Sequence, residues 1–371
     1  MSRLDELIAE LCPDGVENKT LNEVCNISAG GDVPKASMSK EMTQEFTVPI
    51  ISNGIGENAF YGYTDTAKIT VPAVTIAARG TIGYAEYRDY PYFPIVRLLS
   101  AIPKDTSVLN TRFLYFCLQG KNYKVPTSGI PQLTAPELKK VEIPIPPLEV
   151  QREIVRILDN FTELTAELTA ELTARKQQYE YYTQHLLVNA DGLECKLGDV
   201  ATLKTGRKPE KILEEETSYE YINAGTSNSG YVDGSNCDGD TTTTPSRGQG
   251  GIGFVGYQKN NFWLGPLCYR IKSNDTDVVL NKFIYFYLKC FPELILQYKK
   301  EGGTPSVNAS DLVNIPIIIP DIKEQKRIIS VLSHFETICT DISTGLPAEI
   351  EARQKQYEYY RDKLLTFKQL A

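Results

Sequence analysis

A fourteen-residue segment of this chain occurs twice. ARKQQYEYYTQHLL runs from Ala174 to Leu187 and ARQKQYEYYRDKLL from Ala352 to Leu365, 178 residues apart in a chain of 371. A period near half the protein is too long for a solenoid unit. It implies two complete domains, each followed by its own helix, and a molecule built twice suits a target that comes in two parts. Weaker echoes extend the repeat. Asp14-Gly15-Val16-Glu17 returns as Asp191-Gly192-Leu193-Glu194, and Leu109-Asn110 with Phe113, Tyr115 and Phe116 returns as Leu280-Asn281 with Phe283, Tyr285 and Phe286. Gly129-Ile130-Pro131 returns as Gly303-Thr304-Pro305, and QREIVRILDNF (from Gln151) as QKRIISVLSHF (from Gln325). The matches are mostly apolar, Gly and Pro positions, which set a fold. The stretches between them differ, and there the halves could bind different things.

Four segments follow. Residues 1–148 form a first globular domain, opening on an amphipathic helix and continuing through β-type runs such as Phe46 to Ile51 and Val74 to Ala78. Residues 149–189 form a long helix that starts after Pro144, Pro146 and Pro147, as proline favours a first turn. Residues 190–320 are the second domain, with a short helix near Asn281 to Lys289. Residues 321–371 form a second long helix, kinked by Gly345 and Pro347. The expected fold class is α/β (α+β), two such domains in tandem.

Inside the first long helix, Thr162 to Ala174 reads TELTAELTAELTA. Leu164, Leu168 and Leu172 fall at i, i+4 and i+8. With Ile154, Leu158 and Phe161 they make an apolar stripe long enough to pair with the second helix. Such a tandem is either simple helical low complexity or a spacer whose length changes one turn at a time; the second reading is favoured.

Composition narrows the function. No apolar run approaches the ~20 residues of a membrane span, and the N-terminus lacks a signal-peptide core. The eight cysteines show no CxxC pair, which points to reduced thiols in a cytoplasmic protein. A formal charge of −8 argues against indiscriminate coating of nucleic acid, but a sequence reader needs only a local basic surface. Basic residues cluster at Lys121 and Lys124, at Lys204, Arg207 and Lys208, and at Lys299 and Lys300; a solvated surface is the plain alternative for each.

Motifs for covalent chemistry are missing. Gly248-Gln249-Gly250-Gly251-Ile252-Gly253 fits GxGxxG, but it lacks the strand before and helix after that a dinucleotide loop requires. Pro320-Asp321 with Glu324-Gln325-Lys326 is too tightly spaced for a nuclease site and starts a helix. There is no P-loop lysine motif and no Asp/Asn-Pro-Pro-aromatic motif of adenine methylation. The two histidines, His185 and His334, lie on the long helices, so no zinc site or His-based triad forms.

Two variable domains, each followed by a long helix, the TAEL tandem and the paired ARKQQYEYY/ARQKQYEYY segments resemble the specificity subunit of type I restriction-modification systems, over essentially the whole chain. The resemblance implies a non-catalytic subunit with two target-recognition domains, each reading one half of a split, asymmetric site on double-stranded DNA. It implies two long antiparallel helices that form a coiled-coil spacer, give pseudo-two-fold symmetry and bind two modification subunits. Restriction (translocase/endonuclease) subunits are further implied partners. S-adenosylmethionine, ATP and Mg belong to those partners, with no cofactor or metal in this chain.

On that reading the candidates for base or phosphate contact are polar residues beside glycines. They are Asn53, Arg79, Thr81, Lys121, Lys124, Ser128 and Gln132 in the first domain. In the second they are Lys204, Arg207, Lys208, Asn223, Arg247, Gln249, Lys299 and Ser306. Each could instead be a turn or fold residue. The candidates for the partner-subunit interface are Arg175, Tyr179, Tyr182, Arg353, Tyr357 and Tyr360, with Tyr181 and Tyr359 alongside. Two other classes stay open: a diverged methyltransferase, which binding of S-adenosylmethionine by the isolated chain would reveal, and a duplicated coiled-coil scaffold for protein or carbohydrate. A neighbouring gene for an N6-adenine methyltransferase would separate both from the specificity subunit.

Overall fold

The computed structural model describes residues 3–123, 131–216, 219–341 and 344–370. The chain divides into two compact units, Met1–Glu167 with Glu351–Ala371, and Leu168–Ile350. This division departs from the four segments read along the sequence. The boundary at Glu167/Leu168 falls inside the TAEL tandem, and the second Tyr-rich segment belongs to the first unit.

Each unit carries the same sheet. In unit 1 the strands Cys25–Ala29, Leu99–Pro103, Ala73–Ile76 and Ala85–Arg88 lie side by side in that order, all antiparallel. In unit 2 the corresponding order is Ala201–Thr205, Cys268–Ser273, Thr241–Pro245 and Gly256–Gln258. A smaller sheet in each unit contains a parallel pair, Val48–Ile51 with Phe93–Pro94 and Tyr219–Ile222 with Trp263–Leu264. A two-stranded ribbon closes each unit, Asn18–Thr20 with Glu142–Pro144 and Leu193–Lys196 with Pro316–Ile319.

The third strand of each large sheet is buried along its whole length, but by different chemistry. Ala73–Ile76 is mostly apolar, as a strand covered on both faces requires. Thr241–Pro245 carries four threonines, which burial would penalise without partners. Their hydroxyls find them: Thr242 donates to the Asn281 carbonyl at 3.1 Å and Thr244 to the Phe254 carbonyl at 2.9 Å. The helices Thr111–Leu118 and Asn281–Cys290 cover these strands with Phe113 and Phe116, and with Phe283 and Phe286, all fully buried.

The long helix runs from Leu148 to Val188, 41 residues, or about 60 Å at 1.5 Å per residue. Its first turn is fixed by Gln151, which is fully buried. The Gln151 amide accepts from the Asn110 N–H at 2.8 Å and donates to the carbonyls of Val108 (2.7 Å) and Pro146 (2.8 Å). Gln325 repeats this in unit 2, accepting from the Leu280 N–H and donating to the carbonyls of Val278 and Pro320 at 2.8–2.9 Å. The helix that Gln325 anchors is capped by Asp321 and spans Ile322–Thr340. It ends there, and a separate helix covers Leu346–Leu364. The expected kink is therefore a break. Gly345 sits where a Cβ would lie 2.6 Å from the carbonyl oxygens of Thr337 and Asp341, so only glycine fits the turn.

The apolar stripe is shorter than the sequence pattern implied. Ile154 and Leu158 are fully buried, but Leu164 is 47% exposed and Leu168 and Leu172 are half-buried. One apolar side chain in every four residues drifts around a 3.6-residue turn and cannot hold a single face. Threonine hydroxyls in this stretch instead bond back to the carbonyl four residues earlier, as Thr162 does to Leu158 and Thr173 to Thr169.

The buried glutamines yield a prediction. Gln151→Leu keeps the volume but leaves an N–H and two carbonyls without partners, each costing about 1–3 kcal/mol. The Asn110 amide should then exchange with deuterium at least tenfold faster, while the Leu280 amide under Gln325 keeps its protection. Equal protection at Asn110 in both proteins would show that Gln151 does not hold the helix.

Candidate nucleic-acid interface

In unit 1 the polar candidates gather around the loop that follows strand Ala73–Ile76. The Leu133 N–H donates to the Ala78 carbonyl at 2.9 Å, which brings Gln132 beside Arg79. Arg79 donates through Nε (3.0 Å) and Nη2 (2.7 Å) to the Gln132 Oε1. Thr81 donates to the Asn53 carbonyl at 2.8 Å. Asn53 itself is spent on backbone, accepting from the Ala78 N–H at 2.7 Å and donating to the Val96 carbonyl at 2.6 Å. It braces the loop through both ends of its amide. Lys121 is also a framework residue: its ammonium donates to the Glu142 carbonyl at 2.7 Å, and burial pulls its pKa below the usual lysine value. Lys124 and Ser128 lie outside the described residues.

The same rim holds a residue that the sequence did not flag. Val96 and Arg97 have φ of 53° and 62°, two successive left-handed residues without a glycine. A β-branched residue there is strained. The turn is held by N–H bonds from Val96 to Gly31 and from Arg97 to Gly30, and it leaves both side chains exposed. No residue type in Val96-Arg97 signals a left-handed turn, so it is invisible in the sequence.

Unit 2 repeats the frame with different side chains. The Val307 N–H donates to the Ser246 carbonyl at 2.9 Å, as Leu133 does to Ala78, and Arg247 bridges Ser306. Ser306 also exchanges backbone bonds with Lys300. Nearby cations are partly neutralised, Lys299 by Glu301 at 2.9 Å and Lys300 by Asp311 at 2.8 Å. Gln249 is exposed in the Gly-rich loop. That loop joins the antiparallel strands Thr241–Pro245 and Gly256–Gln258, so it is not a dinucleotide turn. Asn223 plays the bracing part of Asn53, accepting from the Leu267 N–H at 2.9 Å. Arg207 and Lys208 stand apart from Arg247 in a groove of about 340 Å³ with Lys211 and Trp263. The Arg207 guanidinium lies 5.4 Å from the Trp263 ring, a cation–π contact. Lys204 is exposed on the edge strand opposite Arg270.

The helix candidates sort by position in the repeat. The first tyrosine of each segment turns inward: Tyr179 packs on the core of unit 2, and Tyr357 packs on that of unit 1 while donating to Gln119. The third stacks on a phenylalanine, Tyr182 on Phe335 (5.5 Å) and Tyr360 on Phe161 (5.4 Å). The second is the outward one, with Tyr181 61% and Tyr359 62% exposed. Of the tyrosines expected at a partner surface, Tyr179 and Tyr357 are thus half-buried against the cores of their own units. Arg175 and Arg353 are half-buried beside their own helix neighbours Gln178 and Gln356.

Chemistry of the bond-making kind has few candidates. Burial pushes the Cys25 and Cys117 thiols up to about 12, which makes them unreactive. Among the described residues no cluster of His, Cys, Asp or Glu could hold a metal, and no helix is long and apolar enough to cross a membrane.

Residues 13–175 and 192–352 match the family model described as type I restriction modification DNA specificity domain. A protein of Haemophilus influenzae named type I restriction enzyme specificity subunit is 37% identical over 288 residues, covering 70% of this chain and 73% of its own length. The EcoR124I/EcoR124II specificity subunit of Escherichia coli is 36% identical over 260 residues, covering 62% and 63%. In fold, the chain is similar to the crystal structure of the type I restriction-modification S subunit from M. genitalium, with a TM-score of 0.67, 18% identity and coverage of 95% and 96%.

The tyrosine positions predict separable effects. Tyr357→Ala should cost about 2 kcal/mol or more, since it empties a packed site. Tyr359→Ala should change stability by no more than about 0.5 kcal/mol. Thermal unfolding of the two variants checks the order, and equal losses would contradict the inward and outward assignment.

Proposed function

Because the chain belongs to the type I restriction-modification DNA specificity family, we propose that its two units each read one half of a bipartite, asymmetric DNA site. The chain is a non-catalytic specificity subunit. The observation that carries the two-reader proposal is the duplicated frame with unlike side chains. Ala78-Arg79 against Gln132-Leu133 in unit 1 becomes Ser246-Arg247 against Ser306-Val307 in unit 2. One frame sets a common docking geometry, while the differing polar groups select different bases in the major groove, where each base pair presents a distinct pattern. Lysines and arginines at the rims hold phosphates and fix register.

The partners we propose are double-stranded DNA, two modification subunits and restriction subunits, in the cytoplasm. Methylation of an adenine by the modification subunits would use S-adenosylmethionine, and cleavage by the restriction subunits would use ATP and Mg. None of these is proposed for this chain. The modification subunits would dock on the helix faces that carry Tyr181 and Tyr359, the exposed members of the duplicated segments. A flipped adenine must leave the stack to reach their pocket, so the readers have to hold the duplex firmly on both sides.

Modularity gives one test. Exchanging residues 190–320 for the equivalent region of a relative, in complex with the modification subunits, should change one half of the methylated sequence and leave the other intact. A change in both halves would sink the proposal of independent readers.

The TAEL tandem gives a second. One added unit lengthens the helix by about 6 Å and overshoots a whole turn by about 40°. DNA advances ~3.4 Å per base pair and turns about 34°. Inserting TAEL after Leu172 should keep both half-sites and lengthen the unread spacer by about one base pair, the step at which rotation stays matched. The methylated sequence of the insertion mutant reports the outcome, and an unchanged spacer would remove the helix from that role.

A further inference from the structure

We propose that Arg79, locked by Gln132, reads a guanine in the half-site of unit 1, while its structural counterpart Arg247, beside Ser306, holds a backbone phosphate in unit 2. The proposal rests on the reading of both units as DNA readers and assigns unequal roles to two equivalent arginines.

The equivalence comes from the backbone. Arg79 follows Ala78, whose carbonyl accepts from Leu133, and Arg247 follows Ser246, whose carbonyl accepts from Val307, both at 2.9 Å. A glycine with left-handed φ comes next in each, Gly80 at +70° and Gly248 at +132°. Gln132 and Ser306 are the residues just before Leu133 and Val307. The two arginines therefore leave the same point of the same frame.

Their surroundings differ in one side chain. Of the five N–H donors on a guanidinium, Gln132 takes one on Nε and one on Nη2. The Nη1–Nη2 edge keeps a parallel pair, the geometry that matches the O6 and N7 acceptors of guanine. Gln132 also removes the rotamer freedom that an unheld arginine would lose on binding. Arg79 is half-buried in this arrangement. In unit 2 the glutamine is replaced by serine, whose hydroxyl stands too close to its own backbone to reach along an arginine. Among the described residues the Arg247 guanidinium makes no hydrogen bond or ion pair, and the residue is exposed. An exposed guanidinium with no partner to orient it suits a phosphate, which accepts from many directions, better than a base edge, which does not. Gln132 is on this account a positioning residue.

The test uses the full chain assembled with its modification subunits. Arg79→Lys keeps the charge but removes the parallel donors. Mapping methylated adenines should show at least tenfold weaker preference for guanine at one position of one half-site, with the other half-site unchanged. Gln132→Ser should relax the same position to a smaller degree. Arg247→Ala should leave every base preference intact, weaken binding uniformly and reduce the slope of log affinity against log salt by about one. A probe of the unaltered complex guards against misfolded variants. 7-Deazaguanine, which lacks the N7 acceptor, placed in turn at each guanine should weaken binding tenfold or more at one position in the half-site of unit 1. No such position there, an unchanged base preference in Arg79→Lys, or a base position relaxed by Arg247→Ala would each overturn the assignment. If the unaltered complex methylates no split site, the reading of the units as DNA readers fails instead.

Discussion

A buried glutamine amide fixes where each recognition unit meets its long helix. Gln151 and Gln325 each use one carbonyl oxygen and both amide hydrogens on three backbone groups that no strand or helix satisfies. An unmade hydrogen bond in such a place is costly, so the glutamine admits one orientation of helix on domain. Each glutamine thereby sets the register of its own helix against its own unit. A hydrophobic contact alone would tolerate a slip of one ridge, whereas three directed bonds do not.

The two units share a framework while the polar side chains on it differ. Unit 1 buries an alanine- and valine-bearing strand where unit 2 buries threonines with satisfied hydroxyls. Unit 1 clamps its arginine with a glutamine where unit 2 offers a serine. Asn53 and Asn223 show the opposite behaviour, since both spend their side chains on the loop that follows the parallel strand pair. A side chain beside a glycine in such a loop can thus belong to the scaffold or to the reader, and hydrogen-bond partners separate the two.

The repeat and the helix at its centre were legible in the sequence because they depend on spacing, on glycine and proline, and on a long stretch free of both. The tandem fold class follows from the same signals. The division into units was not legible, because it depends on which side chains stack across helices, as Tyr360 does on Phe161. The stripe through Leu164 looked longer than it is, because a period of four resembles a period of 3.6 over two turns and departs from it afterwards. Within the candidate interface, Arg79 and Gln132 lie far apart in the sequence and the fold brings them together. The charge of Lys121 points to phosphate, but its ammonium donates to the Glu142 carbonyl. Arg97 is not legible, because its position depends on a backbone conformation that valine and arginine do not announce.

The last turns of the chain complete the first unit. The Val16 N–H donates to the Lys368 carbonyl at 2.8 Å, the Leu370 N–H returns to the Val16 carbonyl at 3.1 Å, and Leu364, Leu365 and Phe367 pack on the unit 1 core. Unit 2 is one uninterrupted stretch of chain, but unit 1 is made of two that flank it. During synthesis the order of assembly is therefore inverted: the domain that leaves the ribosome first must wait, with part of its core uncovered, until the second has been made.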